Sequence, residues 1–99
     1  MAASLHEYEL IVILSPELQE DAVTGGIERV HQAIKSRGGE IDDVNNWGRR
    51  RLAYPIKRHL EGTYFLTQMK LDPGQVADLE NNLRISEDVI RHLVVRTDE

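Results

Sequence analysis

Four arginines, a lysine, a tyrosine and three aliphatic side chains crowd into Gly48-Arg49-Arg50-Arg51-Leu52-Ala53-Tyr54-Pro55-Ile56-Lys57-Arg58. No Asp or Glu interrupts the chain from Gly48 to Leu60. Guanidinium groups bind phosphates through charge-assisted hydrogen bonds, and a guanidinium plane or a tyrosine ring stacks on unpaired bases. RNA is therefore the polyanion that this mixture of charge and ring suits. On charge alone the run reads equally well as a solvated β-hairpin whose arginines protect an edge strand from aggregating.

The remaining chemistry-bearing residues form no constellation. His6, His31, His59 and His92 fall on separate segments, without an HxxxH or carboxylate spacing that would hold zinc, so we read them as surface or edge histidines. Ser15 and Ser86 stand at helix or strand starts without a nucleophile-elbow pattern, and capping explains them. Glu20-Asp21, Asp42-Asp43 and Glu87-Asp88 serve solubility and helix-terminal electrostatics. The expectation is a protein with no catalytic residue, no metal, no cofactor and no small-molecule substrate.

Ninety-nine residues, 40% of them hydrophobic, suit one domain spanning 1–99, with short flexible ends at 1–4 and 97–99. A formal net charge of -5 excludes a uniformly basic surface, so any RNA contact must be local. The lack of cysteine removes disulfides, thiolate metal sites and thiol catalysis, and fits a reducing, cytoplasmic compartment. The longest apolar run, Leu10 to Leu14, is far too short to span a membrane, and no secretory signal opens the chain.

Certain elements must position the cationic run. Glu7 to Leu14 reads as a strand rich in β-branched residues. Ser15-Pro16 then predicts an N-cap and a first helical residue, and Leu18, Val23, Ile27, Val30 and Ile34 recur at helical spacing until Gly38-Gly39. Gly25-Gly26 weakens this helix by about 1 kcal/mol per glycine unless packing compensates. Ile41 to Tyr54 and Thr63 to Leu71 predict two strands joined by a loop around Pro55 to Gly62, with a bulge near Asn45-Asn46 and Gly48. Asp72-Pro73-Gly74-Gln75 opens a second helix with Val76, Leu79 and Leu83 on one stripe, and Val89 to Arg96 closes the chain as a strand.

The order βαββαβ is that of an α+β, ferredoxin-like fold, a four-stranded antiparallel sheet with two helices on one face. Successive strand residues alternate between faces, and here both sets are apolar. Leu10, Val12 and Leu14 alternate with Ile11 and Ile13, Phe65 with Tyr64 and Leu66, and Val94 with Leu93 and Val95. Two helices cover only one set. Ile11, Ile13, Tyr64, Leu66, Leu93 and Val95, interleaved with Glu9, Gln68, Lys70 and Arg91, are assigned to an open face that another polypeptide covers in part.

Two other functions occur on this architecture. An acylphosphatase-like enzyme needs a glycine-rich phosphate cradle after the first strand, where this chain has Leu14-Ser15-Pro16-Glu17. A free RNA-recognition motif needs its signature in the third strand, yet Gly62-Thr63-Tyr64-Phe65-Leu66-Thr67 lacks the basic residue before glycine and the second small position.

Gly48 to Lys57 also resembles, at every position, the signature decapeptide of the bacterial small-subunit ribosomal protein S6 family (bS6). That signature runs glycine, any residue, two mostly polar or basic positions, leucine, a small residue, tyrosine, any residue, isoleucine and a basic residue. Trp47, Tyr8-Glu9, Val89-Ile90-Arg91 and Val94-Val95-Arg96 extend the resemblance over nearly the whole chain. It implies a structural protein of the small ribosomal subunit that pairs with the eighteenth small-subunit protein and binds the central domain of 16S ribosomal RNA. On that basis Leu52, Tyr54 and Ile56 join the open-face residues as partner contacts. RNA contact falls to Arg49, Arg50, Arg51, Arg84 and Arg91. Many relatives begin Met-Arg-any-Tyr-Glu, whereas His6-Glu7 precede Tyr8-Glu9 here, so a positive contact at that end is missing.

Overall fold

The computed structural model describes residues 5–97; of the ends expected to be flexible, 1–4 and 97–99, all but Thr97 lie outside them. In chain order the elements are β1 (His6–Leu14), α1 (Glu20–Lys35), β2 (Glu40–Ile56), β3 (His59–Leu71), α2 (Pro73–Ile85) and β4 (Val89–Arg96). The strands form one antiparallel sheet in the order β2-β3-β1-β4, the ferredoxin-like arrangement. Thr97 extends the last pairing by donating its amide to the Glu7 carbonyl at 2.9 Å.

The core lies between the helices and one sheet face. Leu10, Val12 and Leu14 of β1 and Phe65, Met69 and Leu71 of β3 join Ile27, Val30 and Ile34 of α1 and Leu79 and Leu83 of α2 in a single buried cluster. One cluster for both helices follows from the sequence pattern, because period-2 and period-3.6 apolar positions meet on a shared face. Gly26 is buried where α1 crosses the end of β1, with the Leu14 side chain packed over it. This close approach is the packing that offsets the poor helical propensity of Gly25-Gly26.

Three boundaries differ from the sequence expectation. Ser15 and Pro16 do not open α1; Gln19 is its N-cap residue. The Ser15 amide donates to the Asp88 carbonyl at 2.8 Å, and its hydroxyl accepts from the Glu17 amide, so the chain leaving β1 is tied to the residue just before β4 and must turn before it can rise over the sheet. The loop expected at Pro55 to Gly62 shrinks to Lys57-Arg58, both with positive φ (49° and 72°), and Ile56 pairs with His59. That is a two-residue turn whose twist matches the strands, built without the glycine or asparagine usual there. By contrast, Asp72 caps α2 as expected, accepting from the Gly74 amide at 3.0 Å.

Candidate nucleic-acid and protein interface

The face away from the helices is apolar in the order the alternation requires. Register aligns Leu66, Ile11 and Leu93 across β3, β1 and β4, and in the next row Tyr64, Ile13 and Arg91. Leu93 keeps 48% of its surface exposed, whereas Ile13 keeps only 5%. The difference comes from the β2-β3 hairpin. Between the pairs Arg51/Glu61 and Ile56/His59, β2 uses five residue steps where β3 uses two, so Leu52 to Pro55 arch out of the ladder. Leu52, Ala53, Tyr54 and Ile56 thereby come to line one hollow of about 190 Å³ with Ile11, Ile13, Tyr64, Arg91, His92 and Leu93.

Gly62 makes this fold-over feasible. A Cβ built there would lie 2.4 Å from the Ile13 Cγ2 and 3.1 Å from the Leu14 carbonyl oxygen, so no side chain fits between hairpin and sheet. Arg91 closes the arch by donating from Nη1 to the Tyr54 hydroxyl at 2.5 Å. The signature residues Leu52, Tyr54 and Ile56 and the open-face residues Ile11, Ile13, Tyr64 and Leu93 thus form one surface, although they are far apart in sequence. Leu66 and Val95 extend it toward the other end of the sheet.

The arginines do not form one patch. Adjacent strand residues point to opposite faces, so Arg50, opposite Gly62, shares the open face with Arg91. Arg49 and Arg51, opposite Thr63 and Glu61, belong to the helix side. Arg49 is bonded to the Pro16 carbonyl and pairs with Glu61 at 3.2 Å, so it braces the hairpin against the start of the helical layer. Arg50 lies over the Trp47 ring, 5.7 Å from its centroid, and donates from Nε to the Trp47 carbonyl at 3.3 Å. Arg51 is exposed. Arg84, in the last turn of α2, donates to Asn81 at 3.1 Å and shares a hollow with Lys57 and Arg91.

Lys57 and Trp47 were not singled out as site residues from sequence. Lys57 reaches α2 and β4 only because the hairpin turn is tight, which the expected longer loop concealed. Trp47 sits at the bulge that Gly48, at φ +78°, allows, and its ring stacks on Tyr64 with centroids 6.4 Å apart. A lone tryptophan beside an arginine triplet was the signal available for it.

The family model for ribosomal protein S6 matches residues 7–96 of this chain. The small ribosomal subunit protein bS6 of Heliobacterium modesticaldum is 42% identical over 95 residues, covering 96% of this chain and 99% of its own length. The chain belongs to the ribosomal protein S6 family. The crystal structure of 30S ribosomal protein S6 from Thermotoga maritima superposes with a TM-score of 0.89 at 33% identity, covering 95% of this chain and 89% of that one. The C-terminal domain of MgtC from Mycobacterium tuberculosis shares the fold alone, with a TM-score of 0.65 at 13% identity, covering 100% of this chain and 95% of that one.

As an S6-family member the protein is a structural component of the small ribosomal subunit, cytoplasmic in bacteria, and not an enzyme. The turn after β1 agrees with this. Its amides are used internally, Ser15 on Asp88, Glu17 on the Ser15 hydroxyl and Leu18 on the Ser15 carbonyl, so they do not converge as a phosphate cradle. One histidine departs from the surface role expected of it. His31 Nε2 lies 3.2 Å from the hydroxyl of fully buried Thr67, and burial, reinforced by Lys35 and opposed by Glu28, lowers its pKa from 6.5. His92 faces Glu80 at 3.5 Å. Among the described residues no helix is long and apolar enough to cross a membrane.

Proposed function

We propose that this S6-family protein docks the eighteenth protein of the small ribosomal subunit on its open sheet face and that the pair together binds the central domain of 16S ribosomal RNA. The observation that carries the reading is the continuity of the arch with the open face, because it puts Leu52, Tyr54 and Ile56 beside Ile11, Ile13, Tyr64 and Leu93 in one apolar hollow. Covering what remains exposed of Leu93 (48%) and Val95 (43%) contributes about 0.7 to 1.5 kcal/mol each, against an association cost of about 4 to 15 kcal/mol. A folded partner that also fills the hollow meets that requirement. Leu66 and Val95 belong to the same docking surface.

RNA contact is assigned to Arg50 and Arg91 on the open face and to Arg84 beside Lys57, with Arg49 and Arg51 on the opposite side of the hairpin. Arg91 borders both surfaces, bonded to Tyr54 of the hollow and grouped with Arg84 and Lys57 outside it. Docking of the partner and binding of RNA are therefore coupled. Titration of a central-domain RNA fragment with this protein, the partner and the equimolar pair tests the reading. The expected result is weak binding by each protein alone and much tighter binding by the pair; equal RNA affinity with and without the partner would contradict it.

A further inference from the structure

The only tryptophan of the chain, Trp47, stands at a break in β2 beside Gly48, and 42% of its surface remains exposed. One aromatic neighbour fixes its ring: Tyr64, at an interplanar angle of 16°. Tyr64 in turn lines the apolar hollow, so Trp47 marks the outer limit of the docking surface on the β2 edge. The guanidinium of Arg50 lies over the ring, held otherwise by a 3.3 Å bond to the Trp47 carbonyl. A rigid indole, backed by a second ring and accompanied by a movable cation, has the parts needed to hold a nucleotide. The ring takes a base, and the guanidinium takes the phosphate attached to it.

We propose that Trp47 is a stacking platform for one unpaired nucleotide, with Arg50 leaving the indole to bind its phosphate. This rests on the proposed function and deepens it, adding a base contact to a surface otherwise assigned to phosphates and protein. The charge pattern favours a nucleotide over a protein side chain as occupant. No carboxylate lies between Gly48 and Leu60, and Glu61, the first beyond them, is engaged by Arg49. The flanking polar groups Asn45 and Asn46 already have partners, Asp43 at 3.3 Å and the Gly48 amide at 2.8 Å. Stacking without hydrogen-bond readout tolerates any base.

Because Trp47 is the sole tryptophan, its fluorescence reports on the platform directly. A short oligouridylate is titrated into the protein alone and into its complex with the partner, with tripolyphosphate as a probe that has the charge but no base. Saturable quenching by the oligouridylate, well beyond any emission change that tripolyphosphate causes by drawing Arg50 off the ring, is expected. Trp47→Leu should weaken oligouridylate binding by about five- to 150-fold, and Trp47→Phe should restore most of it. Equal quenching by tripolyphosphate or unchanged affinity in Trp47→Leu would each overturn the proposal. Cooperative capture of the central-domain RNA by the two proteins is measured separately by sedimentation, so its loss would indict the assembly reading and its persistence without quenching would indict Trp47 alone.

Discussion

His31 shows how a single side chain can be half inside the core without serving chemistry. Its ring is placed by α1 against the Thr67 hydroxyl, in a site that disfavours the charged form. The unfolded chain therefore takes up this proton at a higher pH than the folded one. Stability from His31 is full above its ordinary value near 6.5 and is lost as the pH falls below it toward the lowered folded value. Urea melts at about pH 7.5 and about pH 5.5, spanning the ordinary histidine range, should show a larger drop for the wild type than for His31→Gln. An identical drop in the two proteins would remove His31 as a source of acid sensitivity.

At the scale of elements, the hairpin is the part that gives a generic sheet the hollow and cationic edge on which the proposed interface rests. Its bulge at Asn46 to Gly48 aims Trp47 at Tyr64, its arch carries Leu52 to Ile56 over Ile13, and its turn brings Lys57 toward Arg84. The turn is built against local preference, since left-handed backbone costs a non-glycine residue roughly 1 to 2 kcal/mol. Keeping cations at Lys57 and Arg58 despite that cost agrees with a binding role for the tip. Arg58→Gly should accordingly raise stability by about 1 kcal/mol in denaturant melts, the strain relieved outweighing the added freedom of the unfolded chain. A neutral or destabilising result would show that the arginine side chain packs usefully on the folded hairpin.

Over the whole molecule, whose longest dimension is 44 Å, charge is unevenly spread. Lys70 pairs with Asp42 among the carboxylates near the start of β1 and β2, and Glu61 pairs with Arg49 in the hairpin, yet each region keeps an excess of one sign. Glu7, Glu9, Glu40 and Asp42 gather where β1 begins and β2 starts, whereas Arg50, Lys57 and Arg58 occupy the hairpin. An acidic protein with a cationic end is oriented toward a polyanion even though its net charge of -5 opposes approach as a whole. Salt screens both effects but weakens the contact more, because each neutralised phosphate releases counterions. For the pair on its RNA, the logarithm of affinity should fall against the logarithm of salt with a slope of about -0.7 to -0.9 per phosphate contact. Arg50→Ala should make that slope shallower by about one unit while leaving the denaturation midpoint nearly unchanged. An unchanged slope with a lowered midpoint would instead make Arg50 a structural residue.

The sequence by itself determined the layers, because apolar side chains repeating every second or every third to fourth residue can meet on only one shared face. Leu10, Val12, Phe65, Leu79 and Leu83 were legible as core, and Ile11, Tyr64 and Leu93 as the face left over. Local chemistry likewise announced the Asp72 cap and the signature run from Gly48 to Lys57. What tertiary structure alone decided is which of those residues act together. Ser15 became a tether to Asp88 instead of a helix cap, and the arginine triplet was divided between two faces. Ile13 was sealed by an arch of β2 residues whose placement over β1 depends on contacts between segments far apart in the chain, which no local pattern encodes.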